Sequence, residues 1–254
     1  RALYEAAPVG EVLEDIDSID ALLTLGGDGT LLRGARLLGA RSVPIIGINL
    51  GRLGFLTCCQ ASEIGEALER FAHGDYQAEP RMVLEAVARA ADGEERARWY
   101  GLNDVVLSKV GIARAVRLRV EANGEPVATY AADGVVVSTP TGSTAYSLSA
   151  GGPVVYPTLD TIIVTPVSAH TLAIRPLVLP KSIEVSLRAE DDGELMITVD
   201  GQRGGEFGPG EVLVVRRAAH QVMIVRFPGQ RFFATMRRKL GWGGLADRDE
   251  STGC

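Results

Sequence analysis

ALLTLGGDGTLLRGARLL, residues 21–38, places a glycine-rich turn between an apolar run and a segment with helical periodicity. The apolar run 21–25 predicts a strand, and the leucines spaced along 31–38 predict a helix. Glycines let the backbone turn tightly and leave its N–H groups open at the helix N-terminus, where negative charge is favoured. The order strand, turn, helix predicts an α/β fold with a phosphate site at the turn. A tight turn without a ligand is the alternative.

Asp28 lies in the middle of this turn, although a carboxylate repels a phosphate. The acid fits if it accepts a proton from an attacking hydroxyl or helps to hold a metal that neutralises the phosphoryl group, and both are roles in kinases. The spacing contains neither a P-loop nor the Gly-x-Gly-x-x-Gly fingerprint of dinucleotide sites. We expect phosphoryl transfer, with the acceptor left open by this motif alone. The predicted phosphate loop consists of Gly26, Gly27, Gly29 and Thr30.

Composition argues against several classes of protein. The chain has 254 residues, 46% of them hydrophobic and 23% charged, which suffices for one large core or two modest ones. A formal net charge of −6 argues against nucleic acid as a partner, and no apolar run approaches the roughly 20 residues of a membrane span. The cysteines Cys58, Cys59 and Cys254 form neither a disulfide framework nor a metal-binding pattern. We expect a cytoplasmic protein without a nucleic-acid or membrane partner.

The hydrophobic pattern changes character near residue 97. Before that point apolar strands alternate with helical stretches, and the second such pair is 43–48 with 62–73. This alternation predicts a parallel sheet. Residues 1–97 are therefore expected to form a Rossmann-like domain that carries the Gly-Gly-Asp-Gly-Thr loop.

Residues 98–229 are expected to form an antiparallel β-sandwich. Apolar and polar residues alternate over 116–120, and an Asn-Gly turn leads from there into 127–130. Alternation of this kind predicts strands with one buried face, as in a sandwich.

Two more strand pairs are predicted in this half, 183–187 with 195–199 and 212–216 with 222–227. An Asp-Asp-Gly turn separates the first pair, and the segment Ala-Ala-His separates the second. The tail over 230–254 begins with a helical pattern, and we expect it to return to the first domain.

Seven serine and threonine residues lie within the twelve residues 138–149. Such clusters beside Pro and Gly are usually turns. This one, with Asp133 ahead of it and Tyr146 as a stacking face, would also suit a polar ligand approached closely by the backbone. Asn103-Asp104 has a similar double interpretation: a turn or cap at the head of a strand, or an amide that reads a base edge beside a carboxylate that binds ribose hydroxyls.

Together these motifs resemble those of the bacterial NAD kinase family over nearly the whole chain. The blocks that carry the resemblance, in the family's order, are 26–30, 49–56, 103–104, 133–153, 170–172 with 175–176, 200–202 and 238–243. Lipid kinases share the first loop but not the long Ser/Thr run or the Asn-Asp pair. The resemblance implies transfer of the terminal phosphoryl group of ATP, or of another donor, to the 2′-hydroxyl of the adenosine ribose of NAD, which makes NADP.

The resemblance implies roles for residues of the first domain. Asp28 would be the catalytic base that activates the 2′-hydroxyl, and Gly29 would lie against the ligand. Arg33 would hold a phosphate, or else lie exposed on its helix. Phe55 would pack on the adenine, or else belong to the core. A divalent cation, Mg²⁺, would screen the triphosphate beside the carboxylate.

Other matching residues would bind the dinucleotide from the second domain. Asn103 and Asp104 would hold a base and a ribose, Arg114 would reach the ligand from the following turn, and Asp133 would contact the nicotinamide end. The remaining contacts would come from Thr144, Ala145, Tyr146, Ser147, Leu148, Ser149 and Gln202.

Departures from the family pattern limit this transfer, and two of them concern the site and the sheet. Ala131 stands where some relatives carry a basic residue, so no charge contact is expected from that position. No glycine-containing strand precedes Arg1, so we expect a parallel sheet with one strand fewer. The family also suggests a homodimer or homotetramer.

Two rival functions stay open at this point. A lipid or sugar kinase would use the same loop with another acceptor. A dinucleotide sensor would bind without turnover, but it would not need to keep Asp28.

Overall fold

The computed structural model describes residues 18–51, 54–111, 115–170 and 174–241. The strands, in chain order, are β1 (Leu22–Leu25), β2 (Ile45–Asn49), β3 (Cys59–Gln60), β4 (Gln77–Arg89), β5 (Glu95–Gly101), β6 (Asp104–Lys109), β7 (Val116–Ala122), β8 (Glu125–Ala132), β9 (Gly134–Ser138), β10 (Thr161–Val167), β11 (Leu177–Pro180), β12 (Val185–Ala189), β13 (Leu195–Val199), β14 (Gln202–Phe207) and β15 (Val212–Arg226). The α-helices are α1 (Asp28–Leu38), α2 (Ile64–Ala72), α3 (Tyr146–Ser149) and α4 (Phe232–Leu240).

The chain divides into two compact units. The first contains the described parts of 1–38, 43–79 and 223–254, and the second contains 39–42 and 80–222. The sequence places its first boundary near residue 97, whereas the structure assigns residues from 80 onward to the second unit. β4 belongs to the second unit because it forms an antiparallel hairpin with β5. The sequence does not predict this, because the residues from Met82 to Ala88 are all buried and so lack the alternation of apolar and polar residues that indicates a sandwich strand.

The first unit has the α/β organisation that the sequence predicts. β1 and β3 both pair in parallel with β2, and Ile224 near the end of β15 also pairs in parallel with β2. All five residues of β2 are buried, as is typical of a strand with neighbours on both sides and both faces covered. The inner face of α1 buries Leu31, Ala35 and Leu38. The turn after β1 therefore opens a helix, as expected.

The second unit is the predicted β-sandwich. One sheet has the order β11-β10-β9-β6-β13-β14, and its neighbours are antiparallel. The other face consists of β15, β12, β7 and β8, also antiparallel, together with the β4–β5 hairpin. Side chains of both sheets, such as Leu107 and Ile197 from one and Leu118 and Leu187 from the other, meet in one buried core.

Two predicted strand pairs are wrong. β12 pairs with β7 and β15, whereas β13 pairs with β6 and β14, so the segments 183–187 and 195–199 lie in different sheets. The segments 212–216 and 222–227 are not a hairpin either, because β15 runs unbroken from Val212 to Arg226. Ala218-Ala219-His220 contains no residue that forces a turn, and the chain continues as a strand through it.

The predicted tail helix exists as α4 and belongs to the first unit. Among the described residues, none of the helices combines the length and the apolar character needed to cross a membrane.

Candidate active site

The Gly-Gly-Asp-Gly-Thr loop contains glycines of two kinds. Gly26 donates its N–H to the carbonyl of Ile48 (2.9 Å) and has φ +155°, and a Cβ on it would lie 2.1 Å from Oγ1 of Thr30. Gly27 and Gly29 have no atom within 4 Å of the position that a Cβ would take. The first glycine is thus required by packing, whereas the other two leave open space at the N-terminus of α1.

Asp28 is oriented by a loop that lies 27 and 28 positions further along the chain. Its Oδ2 accepts the N–H of Phe55 and its Oδ1 accepts the N–H of Leu56, both at 2.9 Å. A Cβ on Gly54 would lie 1.8 Å from Asp28 Oδ1, so this position must lack a side chain. The loop therefore fixes one carboxylate beside the open glycines.

Two cationic side chains lie near the same loop. The half-buried Arg226 donates to the carbonyl of Phe55 (2.8 Å) and to that of Thr57 (3.2 Å), and burial lowers its pKa below the usual range. Nζ of Lys239 lies 3.9 Å from Asp28 Oδ2 and 5.0 Å from the centre of the Phe55 ring. These contacts secure the carbonyls of the loop and place positive charge near the carboxylate.

The structure leaves both alternatives open for Phe55, which would pack on the adenine or belong to the core, and for Arg33, which would hold a phosphate or lie exposed on its helix. The Phe55 ring is 6.2 Å from the ring of Phe232 on α4, so it packs within its own unit while staying partly accessible. Arg33 is exposed on the outer face of α1.

In the second unit, a carboxylate that the sequence analysis does not single out organises the Asn103-Asp104 pair. Asp200 accepts three consecutive backbone N–H groups, those of Leu102 at 2.9 Å, Asn103 at 2.7 Å and Asp104 at 3.2 Å. It returns its own N–H to the carbonyl of Asp104 at 3.0 Å. The pair therefore begins β6 in a conformation imposed from the turn after β13.

Asp104 is buried, and its carboxylate accepts the backbone N–H of Tyr146. Burial first, and the charge of Asp200 second, raise the pKa of Asp104 to about 7. A carboxyl group with such a pKa exchanges its proton near neutral pH.

The Ser/Thr run uses most of its hydroxyls internally. Thr139 donates to the carbonyl of Leu102 (2.6 Å), Ser143 donates to that of Pro140 (2.7 Å), and Ser147 pairs with Thr165 (2.9 Å). The turn interpretation therefore accounts for much of the run.

Within the predicted wall 144–149, the side chains differ in accessibility. Tyr146 is 43% exposed and Ser149 is also exposed, whereas Thr144, Ala145 and Leu148 are half-buried. Ser147 is fully buried, so its side chain lies inside the unit rather than on an open wall.

Comparison with known proteins agrees with this geometry. Residues 10–76 match the family described as ATP-NAD kinase N-terminal domain, and residues 102–227 match the ATP-NAD kinase C-terminal domain. The NAD kinase of Gemmatimonas aurantiaca is 58% identical over 248 residues, which cover 97% of this chain and 86% of that protein. The chain belongs to the ATP-NAD kinase family. Its reaction is the phosphorylation of NAD to NADP.

Solved structures of ATP-NAD kinase relatives have a similar fold. A yeast NADH kinase complexed with NADH has a TM-score of 0.84 and 29% identity, covering 89% of this chain and 67% of that one. An NAD kinase from Archaeoglobus fulgidus in complex with ATP has a TM-score of 0.71 and 28% identity, covering 88% and 83%.

Asp133, which the family resemblance assigns to the nicotinamide end, lies away from Asp104. It precedes β9, at the far end of the β6–β9 pair, because Asp104 is opposite Ser138, and four to five residues of strand span about 15 Å. There it pairs with Lys109 at 2.7 Å, and this hydrogen bond lowers the pKa of Asp133. Its contact with the nicotinamide end stays a prediction.

Gln202 and Arg114 are the two other predicted ligand contacts, and the structure describes only the first of these two. Gln202 is exposed at the start of β14, opposite Val199, and therefore at the same end of the sheet as Asp104. Arg114 lies outside the described residues.

Several residues that contact the predicted site residues within each unit are not identified by the sequence analysis: Gly54, Arg226 and Lys239 in the first unit, and Lys109 and Asp200 in the second. The family blocks 49–56, 200–202 and 238–243 contain three of them, but a block does not say which side chain its residues contact. Long-range hydrogen bonds give that information only in the folded chain.

Proposed function

We propose that Asp28 is the general base of NAD phosphorylation. The carboxylate accepts the proton of the 2′-hydroxyl of the adenosine ribose while that oxygen attacks the terminal phosphorus of the donor. The two N–H bonds from Phe55 and Leu56 leave further lone pairs on both carboxylate oxygens, so orientation and basicity are compatible. This anchored carboxylate beside open glycines is the observation that carries the proposal. General-base catalysis contributes roughly 10²- to 10⁴-fold to such reactions.

We propose ATP as the donor, held by the open side of the glycine loop. Backbone at Gly27 and Gly29 offers room for close approach, and the N-terminus of α1 favours the negative charge of the phosphates. The Archaeoglobus fulgidus relative in complex with ATP supports this choice of donor.

Mg²⁺ is the proposed cation, and the donor set fits a cation carried chiefly by the triphosphate. The described residues bring no group of three His, Cys, Asp or Glu together, and Mg²⁺ commonly uses one or two carboxylates plus substrate phosphates. Asp28 is the carboxylate that would contribute. When bound, the cation would neutralise charge on the phosphates; the protein positions the hydroxyl and takes up its proton.

For NAD, we propose that Asp104 accepts hydrogen bonds from ribose hydroxyls and that the Asn103 amide binds a base edge. Tyr146, whose backbone contacts Asp104 and whose ring is exposed, supplies a face for a ring of the ligand. The yeast relative complexed with NADH supports dinucleotide binding at a site of this family.

We also propose a cytoplasmic homodimer or homotetramer. Cys58 and Cys59 are free thiols, which suits a reducing compartment. β11 and β14 are the edges of the six-stranded sheet, and edge strands are common places of association. Light scattering of the purified chain measures the number of subunits.

The experiment that tests the catalytic proposal is NADP formation from NAD, ATP and Mg²⁺, followed with an NADP-specific dehydrogenase. We expect Asp28→Asn to lower kcat by about 10²- to 10⁴-fold, because the amide is not basic and accepts only one of the N–H groups of Phe55 and Leu56. The dissociation constant of NAD, measured by calorimetry, should stay within about threefold, since the amide has nearly the size of the carboxylate. Asp75→Asn is the matched control, since Asp75 is exposed and pairs with Arg70 in the same unit. Near-normal turnover of Asp28→Asn would remove Asp28 from the base role.

A further inference from the structure

Asp200 lies in a turn, and its carboxylate faces the Asn103-Asp104 pair rather than solvent. β6 and β13 are antiparallel, with Val199 opposite Val105, so the residue after β13 lies beside the residue that begins β6. Asp200 is 9% exposed and has φ +49°, a conformation uncommon for residues other than glycine. The three N–H groups that it accepts order the backbone of residues 102–104.

Asp104 and Asp200 form a buried pair of carboxyl groups with unequal surroundings. Three N–H donors stabilise the ionised form of Asp200. Asp104 receives one backbone N–H, from Tyr146 on α3, and burial together with the charge of Asp200 raises its pKa to about 7. On β9, the neutral Ser138 stands opposite. Of the charged groups in the described residues, Asp200 is the one that acts on Asp104.

We propose that Asp200 is a positioning residue for NAD binding: it fixes the backbone of Asn103 and Asp104 and, through its charge, makes NAD binding release a proton from Asp104. The proposal rests on the proposed contact between Asp104 and ribose. A ribose hydroxyl donates its hydrogen, and an ionised carboxylate accepts it more strongly than a neutral carboxyl group does. On binding, the O–H bond of the Asp104 carboxyl breaks, its electron pair stays on the carboxylate, and the proton passes to the buffer.

Calorimetric titration of the full chain with NAD tests the proposal. Titrations between pH 6 and pH 8, each in two buffers of different ionisation enthalpy, give both the dissociation constant and the number of protons released. With a pKa of about 7 for Asp104, we expect the dissociation constant to be about tenfold weaker at pH 6 than at pH 8, and proton release to be clear at pH 6.5.

Asp200→Asn removes the negative charge and keeps part of the hydrogen bonding. The single side-chain oxygen of asparagine still accepts the N–H groups of Asn103 and Asp104, but its amide nitrogen cannot accept that of Leu102. We expect the pH dependence of NAD affinity to move to lower pH and proton release at pH 6.5 to fall to less than half. Asp160→Asn is the charge-matched control, because Asp160 is exposed and pairs with Lys181 in the same unit, and we expect it to behave as the unmodified chain.

Asp104→Asn completes the set, because it removes the titrating group itself and should abolish the pH dependence whether or not Asp200→Asn folds. Proton release from Asp200→Asn equal to that of the unmodified chain would overturn the proposal, as would an absence of proton release from the unmodified chain. Unchanged NAD affinity of Asp104→Asn at every pH would instead show that the proposed ribose contact itself is wrong.

Discussion

The two units place their key carboxylates in opposite environments. Asp28 follows a strand at the start of a helix, accepts two N–H bonds and lies near the ammonium of Lys239. Asp104 is buried beside a second carboxylate, with one N–H donor, and its pKa is raised to about 7. Hydrogen-bond donors and a cation surround the first carboxylate, whereas burial and a second carboxylate disfavour the charge of the other.

This difference suits two different tasks. A base in phosphoryl transfer must stay ionised and fixed in direction beside highly charged phosphates. A group that recognises neutral ribose hydroxyls can lose its charge when NAD is absent. The same residue type would therefore serve the two proposed purposes, according to the backbone donors around it.

The largest effect is expected from filling the space behind Asp28. Gly54→Ala places a methyl group 1.8 Å from the present position of Asp28 Oδ1, so the carboxylate must swing away from the N–H groups of Phe55 and Leu56. We expect kcat to fall by about 100-fold, since displacement by about 1 Å costs that much in positioned catalysis. Initial rates of NADP formation measure it.

Gly51→Ala is the control for that substitution, because nothing lies within 4 Å of the position its Cβ would take. It should keep kcat within about twofold and unfold near the temperature of the unmodified chain. Gly54→Ala should in addition lose about 1–3 kcal/mol of stability, so kcat is compared at a temperature at which both variants are folded. If Gly54→Ala were as active as Gly51→Ala, the orientation of Asp28 would not limit the reaction.

The buried carboxyl group of Asp104 is expected to make the free energy of unfolding depend on pH. The pKa of Asp104 is raised from 3.8 to about 7 in the folded chain, so the unfolded chain loses the proton first as the pH rises. The stabilisation is fully present below about pH 4 and is lost as the pH rises through about 7. Between about pH 5 and pH 8 the free energy of unfolding should fall by about 2–3 kcal/mol through this group.

Asp104→Asn removes this titration, so its free energy of unfolding should vary less between pH 5 and pH 8 than that of the unmodified chain. Urea unfolding at several pH values measures the difference, with Asp160→Asn as the control for a general change of charge. Parallel pH profiles for the unmodified chain and Asp104→Asn would contradict the contrast between the two carboxylates.

What the sequence predicts well is local. The Gly-Gly-Asp-Gly-Thr loop is predictable because its strand, turn and helix are contiguous, and the Asn123-Gly124 hairpin is predictable because Asn-Gly favours the turn between β7 and β8. Periodicity likewise predicts α4. Each of these depends on residues within a few positions of one another.

What the sequence does not predict is pairing at a distance. Alternation in 183–187 and 195–199 shows that each segment has a buried face, but not which sheet it joins, and β12 and β13 lie in different ones. The contacts of Asp200 with Asn103 and of Arg226 with Phe55 span 97 and 171 positions. Such contacts depend on strand register, which one chain's hydrophobic pattern leaves open.

The smallest effect, and the finest test of the contrast, comes from two glycines of one loop. Gly29→Ala adds a methyl group to open space, so we expect the unfolding temperature to stay nearly constant while KM for ATP rises by about tenfold, because the methyl group would meet the phosphates. Gly26→Ala directs its methyl group at Thr30 Oγ1, 2.1 Å away, and should lower the free energy of unfolding by about 1–3 kcal/mol. Thermal unfolding and ATP titration of the two variants measure both quantities. If Gly29→Ala raises KM without loss of stability and Gly26→Ala loses stability, then Gly29 contributes to ATP binding and Gly26 to folding. Equal loss of stability in both variants would show that Gly29 is needed for folding, and would contradict the proposed ATP site on the open side of the loop.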